Sequence, residues 1–305
     1  MPRCNLFKNI FIKENIKSTI ILTVFTTIIW SLVSGLLMGL FGFVKQSTSN
    51  PSDSLKSLLS LFLLCTLNAI MVIWYTQKSY YSGKKLFINI FILIFGILSF
   101  MTQIETLYFN TTIQMPLLMI LITVFTGAII GIFSGIFAVK LKNNTKDQVE
   151  NEYGLKLFSL KKNIEKFIFL SFLYMIFYFF FGYFIAWQFP ELRQFYSGST
   201  DILPFWTHMQ NQVHQDAFLI VFQIFRGFLW TLIGYILLKG LSVKNKIERY
   251  ILMGLLLSVP LATPLLVPNY FMPPGVRLGH FSELLIENFL LGVILTYILP
   301  VNKKI

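Results

Sequence analysis

The chain has 305 residues, of which 55% are hydrophobic, 17% aromatic and only 12% charged, with a mean hydropathy of +0.70. An ordinary soluble domain carries about 25% charged residues, and a soluble fold of this length could not hide so much apolar surface. These figures exclude a soluble globular enzyme, a disordered chain and a disulfide-rich secreted module, and they indicate an all-α polytopic membrane protein.

The net charge is +12. In a soluble protein that excess would suggest nucleic acid. Here the basic residues cluster in short loops between apolar stretches, and no loop is large enough for a reading domain, so no nucleic-acid partner is expected. The two cysteines, Cys4 and Cys65, fall before the first span and inside the second. They are badly placed to pair. No metal or redox motif is present, so no cofactor and no metal are expected. Arg3, Lys8, Lys13 and Lys17 form a basic start. The apolar stretch after them is too long for a signal-peptide core and reads as a retained first span.

A helix needs about 20 apolar residues to cross a hydrocarbon core of ~30 Å. Eight stretches meet or approach this, at 18–44, 57–75, 86–108, 115–139, 166–188, 215–238, 250–268 and 281–299. With the N-terminus cytoplasmic, 20 of the 25 Lys and Arg fall on the inside, 4 outside, and Arg226 within a span. Each inside segment holds at least as many as any outside loop, as the positive-inside rule requires. Eight spans with both termini cytoplasmic is the expected topology. The polar stretch 140–165 divides the chain into a first half (1–139) with a basic lead and a second half (166–305). The leads IFIKENIKS and LFSLKKNIEKF read as juxtamembrane basic sequence, with short interfacial helices as the alternative.

Small residues recur every four positions at Ser31, Gly35 and Gly39 in span one and at Gly127, Gly131 and Gly135 in span four. Such stripes let helix backbones approach closely, so spans one and four are expected to be buried partners. Ser134, in the sequence GIFSG, reads as a packing residue. Pro260, Pro264 and Pro268 recur in span seven, each removing an N–H and crowding the preceding turn. A regular helix is therefore not expected from Pro260 to Asn269, and carbonyls freed at that depth must face protein or water.

Charged groups at membrane depth default to functional hypotheses. Arg226 lies mid-way in span six with Gln223 one turn before it. Gln103 and Glu105 lie near the outer end of span three. Span eight opens with GHFSELLIEN, placing His280, Glu283 and Glu287 on one helix face, with Asn288 beside them and Arg277 extending the face backwards. At ~1.5 Å per residue, Glu287 lies ~9 Å and Arg226 ~16 Å below the outer boundary. Arginine can snorkel outwards over such a gap. The expected pairing is Arg226 with Glu287, with Glu105 as a second partner, in one outward polar pocket bounded by spans three, six, seven and eight. The outer loop 189–214 carries aromatics and is expected to lie at the interface as a lid. His208 and His214 read as exposed loop histidines.

His280–Glu283 lacks the second histidine of a zinc-binding helix, and no phosphate-binding or dinucleotide fingerprint is present. The leading functional reading is a secondary transporter or permease for a small solute. In it Arg226 binds an anionic group or tunes the carboxylates, and Glu287 or Glu283 carries a coupling proton. The alternatives are a membrane-embedded enzyme acting on a lipid-linked or outer-face substrate, and a non-catalytic assembly or sensor protein. The expected partners are the lipid bilayer and a small-molecule or lipid ligand, with a homo-oligomer left open. The expected location is a membrane, the cytoplasmic one if the source is bacterial.

Overall fold

The computed structural model describes residues 13–42, 51–144 and 160–299. Among these, eight helices are long and apolar enough to cross a membrane. Spans one to eight run Lys13–Leu40, Pro51–Lys78, Gly83–Tyr108, Leu117–Asn144, Leu160–Phe184, Phe218–Lys239, Lys246–Ala262 and Pro274–Ile298. Every expected stretch corresponds to one of them, so the chain is a multi-pass membrane protein built as a helical bundle. Most helices overrun the apolar stretch, because continuing the helix satisfies backbone groups at the boundary. Span eight starts at Pro274, a residue suited to the first helical turn, and so takes in Arg277 and His280. The lead and linker residues before Lys13 and Leu160, and Cys4, lie outside the described residues. Lys13 and Leu160 open helices that continue directly into spans one and five. Cys65 is a buried free thiol.

At the end of the bundle rich in basic residues, short turns are laced together. The Tyr80 N–H donates to the Gly240 carbonyl at 3.1 Å and the Ser242 N–H to the Lys78 carbonyl at 2.8 Å. The buried Tyr75 hydroxyl reaches Asn89 Oδ1 at 2.8 Å and the Leu237 carbonyl at 3.0 Å, tying spans two, three and six. Lys78 pairs with Glu248 at 2.6 Å. The Lys142 ammonium donates to the Ser79 carbonyl at 2.9 Å. Turn carbonyls buried this far need such donors. The opposite end is different. Two short helices, Pro190–Ser197 and Phe205–Gln215, form the long connection between spans five and six, and the elements there stand further apart around a cavity.

Span seven is the most enclosed element. Leu252, Met253, Leu256 and Leu257 are fully buried. It meets span eight backbone to backbone: a Cβ on Gly292 would stand 2.5 Å from the Met253 carbonyl oxygen. Spans five and six meet the same way, Gly227 lying against the Ser171 backbone. Spans one and five are peripheral, exposing Ile20, Val24, Ile28 and Leu32, and Ile168, Phe172, Ile176 and Phe180, as lipid-facing rows.

The glycine stripes depart from expectation. Gly127, Gly131 and Gly135 do form a contact surface, but their partner is span three: they lie against Ser99, against Phe91 and Phe95, and against Phe87. Ser31, Gly35 and Gly39 are exposed, and a side chain added to Gly35 would meet nothing within 4 Å. Span one touches span four through larger groups instead, Phe25 standing edge-on to Phe133 at 5.5 Å. Ser134 is buried, as a packing residue should be.

Spans three and seven are irregular. Span three passes through a π-helical segment, Ile92–Met101, before resuming as α-helix at Thr102. Span seven stays α-helical through Pro260 as far as Ala262, correcting the break expected at that proline. The helix tightens to a 3₁₀ turn over Thr263–Leu266, and no regular structure follows until Pro274. Pro264 and Pro268 thus sit in the irregular part, and Pro260 does not.

Candidate functional site

The end opposite the basic turns contains a cavity of about 1090 Å³. Small-molecule sites usually fall between about 300 and 1,000 Å³, so this is a large one. Spans one to five and eight, the end of span seven with the irregular segment after it, and both loop helices contribute to its wall. The four-span boundary expected from sequence is too narrow. Span five supplies Tyr178, Phe179, Gly182 and Tyr183, whereas span six reaches the wall only near its start, at Leu219.

Two polar constellations stand at this cavity. In the first, Arg226 and Glu105 form a two-pronged pair: Nη1 donates to Oε1 at 3.0 Å and Nη2 to Oε2 at 2.7 Å. Nη1 also donates to Gln223 Oε1 at 3.0 Å. The guanidinium carbon lies 5.7 Å from the ring centres of both Tyr174 and Phe222. Planar donors matched to two carboxylate oxygens give both strength and fixed orientation. Arg226 is fully buried and Glu105 keeps 23% of its side chain accessible, so the carboxylate faces the cavity and the arginine stands behind it. The pairing with Glu287 expected from sequence is not the one formed. The depths expected from sequence differ by about 7 Å, a little over one helical turn, and Glu105 on span three reaches the arginine from the side instead.

In the second, Tyr196, His280 and Glu283 form a chain. The Tyr196 hydroxyl lies 3.1 Å from His280 Nε2, and His280 Nδ1 lies 2.8 Å from Glu283 Oε2. All three line the cavity. Tyr196 is on the first loop helix, outside the spans. Burial, reinforced by the negative charges of Glu105 and Glu283, pushes its hydroxyl above the usual phenol range. It therefore carries its proton at neutral pH. With His280 neutral, the chain runs one way: tyrosine O–H to Nε2, then Nδ1–H to the carboxylate.

Glu287, one turn along the same face from Glu283, is fully buried, and neither of its oxygens meets a hydrogen-bond partner. Asn288 is equally buried; its Nδ2 donates to the Leu284 carbonyl at 3.2 Å and its Oδ1 has no partner. Gln103 lines the cavity and its Oε1 is likewise unpartnered. Arg277 does not line the cavity, so it drops out of the constellation that its spacing suggested.

The connection between spans five and six holds to the wall through specific contacts. Glu191 accepts the Gly275 N–H at 2.7 Å, at the start of span eight, where a carboxylate is favourable. Arg193 donates to the Trp187 and Thr200 carbonyls, both at 2.6 Å. His208 is buried against Trp187, with ring centres 4.4 Å apart, correcting its reading as an exposed loop residue. Burial pushes its pKa below the ordinary histidine value. His214 is exposed. Among the described residues no three His, Cys, Asp or Glu side chains are placed to hold a metal ion.

The sequence reading passed over the Tyr196 bond to His280 and the contribution of span five. Tyr174, Tyr178 and Gly182 recur every four residues in a phenylalanine-rich stretch. The two tyrosines of that row, among so many phenylalanines, were the available signal. Asp216, which accepts from the Tyr108 hydroxyl at 2.5 Å and also lines the cavity, was missed as well. No family model, no curated protein and no solved structure matches the chain.

Proposed function

We propose that the protein is a secondary transporter for a small solute, with the cavity as the solute site and the His280–Glu283 pair as its coupling group. The observation that carries this reading is the Tyr196–His280–Glu283 chain on the wall of a cavity of about 1090 Å³. Ionisable side chains at membrane depth mark solute and proton paths in membrane proteins. The broken end of span seven beside it adds support, since interrupted helices commonly border transporter sites. In this reading the cationic end faces the cytoplasm and the cavity faces outwards. A proton taken by the histidine–carboxylate pair changes the charge seen by the solute, which couples the two movements.

In this reading Arg226, fully buried and matched by Glu105, orients that carboxylate, and gripping the solute falls to other groups. The test is flux in proteoliposomes made from the full chain, read with an internal pH dye while a panel of cationic, neutral and anionic solutes is added. Proton movement driven by at least one solute, and lost in Glu283→Gln, is expected. Absence of solute-driven proton movement across the panel would end the coupled reading. An enzyme acting on a lipid-linked substrate would use the same three-residue chain, and it would show turnover without flux.

A further inference from the structure

We infer that the solute is an organic cation with an apolar, aromatic-sized body. This rests on the reading of the cavity as the solute site and adds its chemistry.

The charge distribution carries the first part. The chain has 25 Lys and Arg against 13 Asp and Glu, yet among the described residues the cavity wall contains no Lys or Arg, and it does contain Glu105, Glu283 and Asp216. Arg226, which stands behind Glu105, is fully buried and engaged by Glu105 and Gln223. Even with His280 protonated, the carboxylates outnumber the cations among the described residues of the wall. Glu283 Oε2 is taken by His280, whereas Oε1 faces Gly182, where a Cβ would stand only 3.2 Å away. A side chain at position 182 would crowd that oxygen. Behind it, the Glu287 oxygens and Asn288 Oδ1 are fully buried acceptors without a donor. An anionic solute would meet repulsion here. A cation meets carboxylates partly withdrawn from solvent, where the attraction exceeds that in bulk water.

The lining carries the second part. The aromatic residues Trp30, Phe109, Tyr178, Phe179, Trp187 and Tyr196 line the same space. Aromatic faces attract cations through the ring quadrupole, and they shelter apolar groups. A small inorganic ion would leave most of about 1090 Å³ without contact. A cation carrying aromatic or alkyl groups uses both features together.

The test uses the full chain in lipid nanodiscs, with empty discs subtracted. Labelled tetraphenylphosphonium is the probe, competed by benzyltrimethylammonium, benzyl alcohol or benzenesulfonate. Saturable binding is expected, displaced by benzyltrimethylammonium and not by benzenesulfonate. Glu283→Gln should weaken it at least about tenfold and Glu283→Asp much less, as a charge interaction requires. Tyr178→Leu should weaken it about fivefold. Asp at 283 also guards against misfolding, since it keeps the charge. Displacement by benzenesulfonate but not by benzyltrimethylammonium would overturn the inference. So would undiminished binding in Glu283→Gln, or an absence of saturable binding by the folded wild type. Saturable cation binding without flux would remove the transport reading and leave this one standing. Coupled flux of anions alone would do the reverse.

Discussion

Arg226 and Glu105 meet through two hydrogen bonds of 3.0 and 2.7 Å, joining span six to the α-helical end of span three. The arginine has no accessible side-chain surface. Removing its carboxylate leaves a buried, uncompensated cation, which is far worse than removing both groups. Glu105→Gln is expected to destabilise the protein by about 3 kcal/mol. The double variant Glu105→Leu with Arg226→Met should recover most of that loss. Thermal unfolding in detergent, followed by tryptophan fluorescence, measures both. Equal loss in the single and double variants would show that the pair does not act as a unit.

Glu283 and Arg277 share a helix but differ in their relation to the cavity, which only Glu283 lines. Solute-driven flux should fall at least about tenfold in Glu283→Gln, as expected when a membrane-depth ionisable group is removed from its task. Arg277→Ala should stay within about twofold of wild type, because this half-buried side chain does not line the cavity. Initial rates in proteoliposomes with matched protein content provide the comparison.

Glycine substitutions separate a helix contact from a lipid-facing row. A Cβ on Gly227 would lie 2.5 Å from the Ser171 carbonyl oxygen and 2.8 Å from its Cα, with backbone unable to move aside. Gly227→Ala should lower stability by about 1–3 kcal/mol. Gly35→Ala, with open space around it, should leave stability unchanged or raise it by up to about 1 kcal/mol. Melting temperatures of the two variants in the same detergent decide the matter.

His208 makes the second loop helix sensitive to acid. Burial against Trp187 holds its folded-state pKa below the unfolded value. The unfolded or detached form therefore binds the proton more readily. The stabilising contribution is complete above about 6.5, the unfolded value. It declines as the pH falls from there towards the lower folded-state value. Amide hydrogen exchange over residues 205–215 should accelerate between pH 7 and pH 5, beyond the change in intrinsic rate, and His208→Phe should remove the acceleration.

The eight crossings were legible because a run of apolar residues of a fixed length is a one-dimensional property. Much of the site was legible too: Arg226, Glu105, His280 and Glu283 were singled out as rare polar groups at depth, and all four meet at or behind the cavity. Which of them pair was not legible. Glu287 lay nearer in estimated depth, but contact depends on which way span three turns its face, and the linear sequence does not state this. The exposure of Ser31, Gly35 and Gly39 was hidden for the same reason. A small-residue stripe makes close approach available without naming a neighbour, and in span one the packed face is another. Tyr196 comes from a connecting helix whose docking rests on contacts such as Glu191 to Gly275, and no periodicity reports that.

The π-helical stretch Ile92–Met101 has a consequence for how span three does two tasks at once. Near its start, Asn89 must meet Tyr75 among the basic turns, and beyond the stretch Glu105 must meet Arg226. A uniform α-helix advances about 100° per residue, so the azimuths of these two side chains would be locked together. Wider turns, closed by bonds from residue i to i+5, advance by less. The stretch acts as a vernier between the ends, letting one rod carry two bearings that a single pitch could not reconcile. Loss of one residue within it would leave the span long enough to cross a membrane while turning the carboxylate away from the guanidinium.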